Sequence, residues 1–220
     1  MLKKPQIKSV FALFVVLITV LFATLRIVDP VILIDISEED VLLENLTAGV
    51  LFATFCLSSF FHLKFKVKTN IFFAFAALGL IGFLDEISFG RRLLPIPMPK
   101  SHGLTIDGVH DLVHLLKNIT RTNLTYHPLG TYIVISLLVI VAGFVWYKTK
   151  KIRQRAINLF AKYEIRDLVL VIILCIIFSQ GIDTFRWNIY PYQAVEECLE
   201  LIAAVALLTC SLKCRERIRF

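Results

Sequence analysis

His110 and His114 stand four residues apart in DGVHDLVHLL, residues 107–116, with Asp107 and Asp111 between and beside them. On a helix Asp107, His110, Asp111 and His114 fall at i, i+3, i+4 and i+7 and share one face. Ile106, Val109, Leu112, Val113 and Leu116 take the opposite face. Two histidines at i, i+4 match the spacing of helical metal sites, in which neutral imidazoles and a carboxylate hold a divalent ion. His110, His114 and Asp111 are therefore a candidate ligand set for zinc, manganese or iron. The segment reads HDxxH where zinc proteases have HExxH, and the shorter aspartate would place a general base differently. The same stripe is also what the wet side of an amphipathic surface helix looks like, and both readings stay open.

A second set of groups is carboxylate-rich. Glu44 lies in EDVLLENLTAG, Asp85 and Glu86 in FLDEISFGRR, and Glu196, Glu197 and Glu200 in AVEECLEL. Each stands inside or at the end of an apolar run. An ionisable group in hydrocarbon costs at least about 2.5 kcal/mol at mid-bilayer and less near the interface, so such groups face a bundle interior or a watery cavity. Glu196 and Glu200 share a face at i, i+4, with Glu197 flanking it. Close carboxylates repel, so the set implies a shared proton, a bound cation or an arginine partner. Arg91 and Arg92 follow directly. They either neutralise Asp85 and Glu86 or bind a headgroup phosphate, for which paired guanidinium forks are suited.

The elements that must position these groups are membrane helices. The chain has 220 residues, 57% of them hydrophobic, with a mean hydropathy of +0.76. That is too apolar for a soluble domain. A bilayer crossing takes about 20 apolar residues. Six runs qualify, at roughly 9–27, 42–62, 70–89, 129–147, 167–183 and 193–212. The expected fold is all-α, a polytopic bundle of six transmembrane helices forming a single membrane domain over 1–220. Lys3, Lys4 and Lys8 precede the first run, and its length and Arg26 favour an uncleaved anchor over a signal peptide.

The basic residues orient the bundle. Seventeen of the 24 Lys and Arg lie before the first run, between the second and third, between the fourth and fifth, and after the sixth. The positive-inside rule then puts both termini in the cytoplasm. The net charge of +7 is explained by that asymmetry, and no nucleic-acid partner is expected. Segment 148–166 is read as a basic loop. Of the 17 acids only Glu164, Asp167 and Glu216 fall inside. Glu44, Asp85, Glu86, Glu196 and Glu200 thus converge on the outer face. The longest outer segment is a loop over 90–128, with proline-rich LLPIPMPK and then an amphipathic helix at about 105–117, Thr105 being its N-cap candidate.

Asn45, Asn118 and Asn123 head Asn-x-Ser/Thr sequons, which matter only on a eukaryotic secretory route. Trp187, Tyr190 and Tyr192 suit an outer aromatic belt, and Trp146 and Tyr147 an inner one. Cys56, Cys175, Cys198, Cys210 and Cys214 show no CxxC spacing and read as small hydrophobes. DVLLENLTAGV and QAVEECLELIAAV are faintly alike, as the starts of two parallel repeats would be.

DEISFGRRLL, the Glu44–Thr47 stretch, the histidine helix and EECLEL together resemble a group of bacterial multi-pass membrane proteins. Those carry Glu-Glu-Ile-Ser-Trp-Gly-Gln at the end of a span and a later Asn-Leu-His-Asn-Leu. Here Asp85 stands for the first Glu, Phe89 for the Trp and Arg91 for the Gln. His114 matches the loop histidine, and His110 has no counterpart. The resemblance covers about half the chain and implies a multi-pass protein of the bacterial inner membrane, not a reaction. A comparison with the alkaline-ceramidase superfamily fails on topology. Ser58 and His62 close the second run on the cytoplasmic side, about 30 Å from the outer groups.

Three functions follow from these residues. One is a metal-dependent enzyme acting on a lipid headgroup or another outer-leaflet substrate, with Glu86 or a neighbouring carboxylate as general base to a metal-bound water. Another is an ion- or proton-coupled carrier that uses Glu44, Asp85, Glu86, Glu196 and Glu200. Such a carrier needs a polar path to the cytoplasmic face, and the inner halves of the runs hold no acids. The third is a non-catalytic subunit or assembly factor, with a membrane-protein partner or a second copy, whose polar groups hold helices together.

Overall fold

The computed structural model describes residues 7–28, 42–65, 71–87, 100–101, 104–105, 148–184 and 192–219. Regular structure among them is almost entirely helical. The helices are α1 (Ile7–Val28), α2 (Leu42–Phe65), α3 (Ile71–Glu86), α4 (Lys150–Lys162), α5 (Arg166–Thr184) and α6 (Tyr192–Arg219). A two-residue antiparallel ladder joins β1 (Lys100–Ser101) to β2 (Leu104–Thr105), with Lys100 opposite Thr105. The chain divides into two compact units, Met1–Ile87 with Tyr163–Phe220, and Ser88–Lys162.

Five of the six apolar runs meet a helix within a few residues of the expected ends. The fourth, 129–147, lies outside the described residues. Among the described residues one helix, Leu42–Phe65, is long and apolar enough to cross a membrane on its own. The sixth run is longer than its apolar stretch and continues to Arg219. Its basic last turns suit the negative end of the helix dipole. Two local expectations need revision. Segment 148–166 is not all loop, because α4 occupies thirteen of its residues. Thr105 pairs as a strand residue rather than simply opening a helix; residues 106–117 lie outside the described residues.

In the first unit α6 is the hub, packing on α1, α2, α3 and α5. Its composition explains why. Ala194, Cys198, Ala203, Ala204, Ala206, Cys210 and Cys214 are all buried along it. Small side chains let neighbouring backbones approach closely, which strengthens dispersion and interhelical hydrogen bonds where apolar surroundings offer no hydrophobic drive. One such bond is made: Ser58 Oγ of α2 and Ser211 Oγ of α6 lie 2.8 Å apart, fully buried.

The α2–α3 contact uses glycine in the same way. A Cβ on Gly79 would stand 2.9 Å from both the Leu51 carbonyl oxygen and the Phe55 nitrogen. Only a residue without a side chain permits that backbone approach. Aromatic rings fill the rest of the seam, Phe52 on Phe83 at 5.0 Å and Phe61 edge-on to Phe72 at 5.5 Å. The Arg215 guanidinium of α6 lies 5.2 Å from the Phe61 ring centre, a cation–π distance.

Glu164 shapes the start of α5. It takes a left-handed φ of 54°, a conformation that stops a right-handed helix. α5 then starts anew, with the Ile165 carbonyl accepting from Val169 N–H at 2.9 Å. The Glu164 carboxylate is held by Arg217 and, at 3.5 Å, by Lys213. The end of α6 therefore clasps the turn that starts α5.

Candidate functional site

Asp85 and Glu86 stand where α3 ends, and Glu196, Glu197 and Glu200 where α6 begins. α3 closes on Glu86, and its last turn is completed by Ile87 N–H donating to Phe83 O at 3.1 Å. No basic residue stands in that turn to offset the dipole. Across the helix contact, α6 presents Glu197 and Glu200 one turn apart. The charges that act on Glu86 are those of Glu200, Glu197 and its neighbour Asp85. Glu197 is the most enclosed, 9% exposed, while Asp85, Glu86, Glu196 and Glu200 are half-buried.

α5 contributes the third wall. Ser179, itself buried, donates its hydroxyl to Glu200 Oε1 at 2.6 Å. That length is typical of a hydroxyl donating to a carboxylate. Three helices thus meet at Glu200. Arrangements of this kind can bind a proton, share one between carboxyls, or hold a cation when enough oxygens converge. Among the described residues no three His, Cys, Asp or Glu side chains converge closely enough to hold a metal ion.

Glu197 and Glu200, whose charges act on Glu86, stand at i, i+3 on α6. Glu44 stands in the first turn of α2, where the helix dipole favours an acid, and is half-buried. His110, Asp111, His114, Arg91 and Arg92 lie outside the described residues. Ser179 is a group that sequence reasoning missed. Its only signal is a hydroxyl that follows the apolar run ILCIIF.

A stripe of hydroxyls occupies the α2–α6 seam. Thr47, Thr54 and Ser58, at i, i+7 and i+11, share one face of α2 and are all buried. Thr54 donates to the Val50 carbonyl at 2.8 Å, and Thr209 of α6 to the Val205 carbonyl at 2.7 Å. Ser58 is engaged with Ser211, and the His62 ring centre lies 6.0 Å from that of Phe73. Neither Ser58 nor His62 is near the carboxylate end of α2.

No family model, no curated protein and no solved structure matches the chain.

Proposed function

We propose that this chain is a multi-pass protein of the bacterial inner membrane, with both termini cytoplasmic, and that it couples transport to a proton taken up by the carboxylates of α3 and α6. The observation that carries the reading is the bond from Ser179 of α5 to Glu200 of α6, at a helix end where the charges of Glu197 and Glu200 act on Glu86 of α3. Acids on separate helices respond to protonation by changing how those helices attract or repel. Local protonation thereby becomes helix movement.

Two features support the setting. Leu13, Leu17 and Leu21 of α1 are exposed, as are Ile173, Ile177 and Phe178 of α5. Apolar surface on that scale is costly in water and ordinary against lipid. The buried hydroxyls of Thr54 and Ser58 on α2 support a polar path through its cytoplasmic half, where the sequence has no acids. In this reading the basic segments face the cytoplasm and the acid cluster faces out.

Infrared titration of the protein in lipid nanodiscs tests the proposal, paired with a proton-flux assay in proteoliposomes carrying an internal pH dye. The expected result is a carboxylic-acid C=O band that titrates in wild type and is lost in Glu86→Gln and Glu200→Gln. Proton flux should be lost in both variants as well. A wild type with no titrating carboxyl and with flux no greater than empty liposomes overturns it. The cluster would then be a packing device, as in the non-catalytic subunit.

A further inference from the structure

The most amphipathic of the described helices is α4, and the carrier reading gives it no task. From Lys148 to Lys162 the sequence has six Lys and Arg and no acid. A helix that merely solvates a protein surface usually mixes both signs. The side chains divide by face. Gln154, Arg155, Asn158 and Lys162 are exposed, and Gln154 Nε2 donates to Asn158 Oδ1 at 3.1 Å along that exposed side. Ala156, Leu159 and Phe160, at i, i+3 and i+4, are half-buried and form the apolar face. Arg155 and Lys162 stand at the border between the two faces, where a long stem can lie along an apolar surface while its charge reaches a phosphate.

Chain connectivity limits where such a helix can go. Lys162, the last residue of α4, and Arg166, the first of α5, are four residues apart in the chain. Where α5 crosses the bilayer, its start is at the cytoplasmic interface. In the sequence Trp146 and Tyr147 precede α4, and residues of that type suit a membrane interface. We infer that α4 is an interfacial helix that binds the anionic phospholipids of the cytoplasmic leaflet, its apolar face in the acyl boundary and its basic border on the headgroup phosphates. The inference rests on the membrane reading of α5. Charge complementarity selects the partner, since a surface of anionic headgroups attracts a run of one positive sign and a neutral surface does not.

The test uses the full chain in nanodiscs, either of neutral phosphatidylcholine or of phosphatidylcholine mixed with phosphatidylglycerol. Spin labels are placed one at a time at Phe160→Cys, Asn158→Cys and Ile177→Cys, with wild type as the labelling background. Accessibility to oxygen and to a water-soluble nickel chelate is then read by power saturation. With anionic lipid, the 160 label should become oxygen-accessible and severalfold less accessible to nickel than in neutral discs, while the 158 label stays wet. Combining the label with Lys150→Gln, Arg155→Gln and Lys162→Gln should abolish the lipid dependence. Equal nickel accessibility at 160 in both disc types overturns the inference, and points to an acidic protein partner instead. A 160 label closed to both reagents in both disc types also overturns it, because the apolar face is then covered by protein. The 177 label separates the two claims. If it is wet in both disc types, the membrane reading of α5 fails; if it is lipid-exposed, only the role of α4 is at issue.

Discussion

At the scale of single residues, the hydrogen bonds between helices separate positioning from chemistry. Ser58 and Ser211 are both fully buried and 2.8 Å apart. Neither is near the acids, so removing the pair should weaken packing and leave proton binding intact. A double-mutant cycle of Ser58→Ala and Ser211→Ala, read by unfolding in mixed micelles, should give a coupling of about 0.6 kcal/mol, and at most about 1.7 kcal/mol. A coupling of zero would show that each hydroxyl is equally well served by its own helix. That alternative is real chemistry, since Thr54 and Thr209 already donate to carbonyls four residues back. It is also why Ser179 and Ser211 were not legible in the sequence. A serine in an apolar helix can satisfy itself locally, so its type reveals no partner. Carboxylates have no such local escape. Glu86 and Glu200 are therefore legible from their presence at the ends of apolar runs, whereas the bond between Glu200 and Ser179 depends on how α6 is rotated against α5.

At the scale of elements, two contacts set how helices meet. Gly79 lets α3 touch the α2 backbone, and a methyl there would lie 2.9 Å from Leu51 O. Gly79→Ala should destabilise the α2–α3 pair by roughly 1–3 kcal/mol, the usual cost of overpacking. Thermal unfolding of the two proteins in the same detergent checks it, and an unchanged midpoint would show that the helices slide apart freely. The second contact is the clasp on Glu164. The hydrogen bond from Arg217 holds its carboxyl below the ordinary value of 4.5, with the Arg217 and Lys213 charges adding to it. A carboxyl with a lowered folded-state pKa contributes stability that is present above its unfolded value and is lost as pH falls through the folded one. Wild type should therefore lose stability below about pH 4.5 more steeply than Glu164→Gln, and the two curves should converge in acid. Parallel curves from pH 7 to pH 3 would remove the clasp from the account. The same region shows what sequence pattern hid. The helical spacing of Ala156, Leu159 and Phe160 is present in the sequence, but six Lys and Arg over 148–162 give the segment the composition of a cytoplasmic loop.

At the scale of the whole molecule, the decisive question is whether its exposed apolar surface meets lipid or water. Six apolar runs were legible because hydrocarbon thickness demands length. Their orientation rests on charge placement alone. Native cysteines provide a test without redesign. Cys56 is exposed, near the middle of α2, whereas Cys175, Cys198, Cys210 and Cys214 are buried. Burial also pushes the thiol of Cys214, beyond the apolar part of α6, up from its ordinary value. Only the thiolate attacks a maleimide, and it forms readily in water and hardly at all in hydrocarbon. If α2 crosses the bilayer, a charged maleimide should leave Cys56 unmodified in intact membranes and modify it after denaturation in dodecyl sulfate. Gln154→Cys, on the exposed face of α4, should be modified in inside-out vesicles and spared in right-side-out ones, which also reads the orientation. Prompt modification of Cys56 in native membranes would mean that its exposed surface meets water. The six-span bundle, the outer placement of the acids and the coupled transport built on them would then fall together.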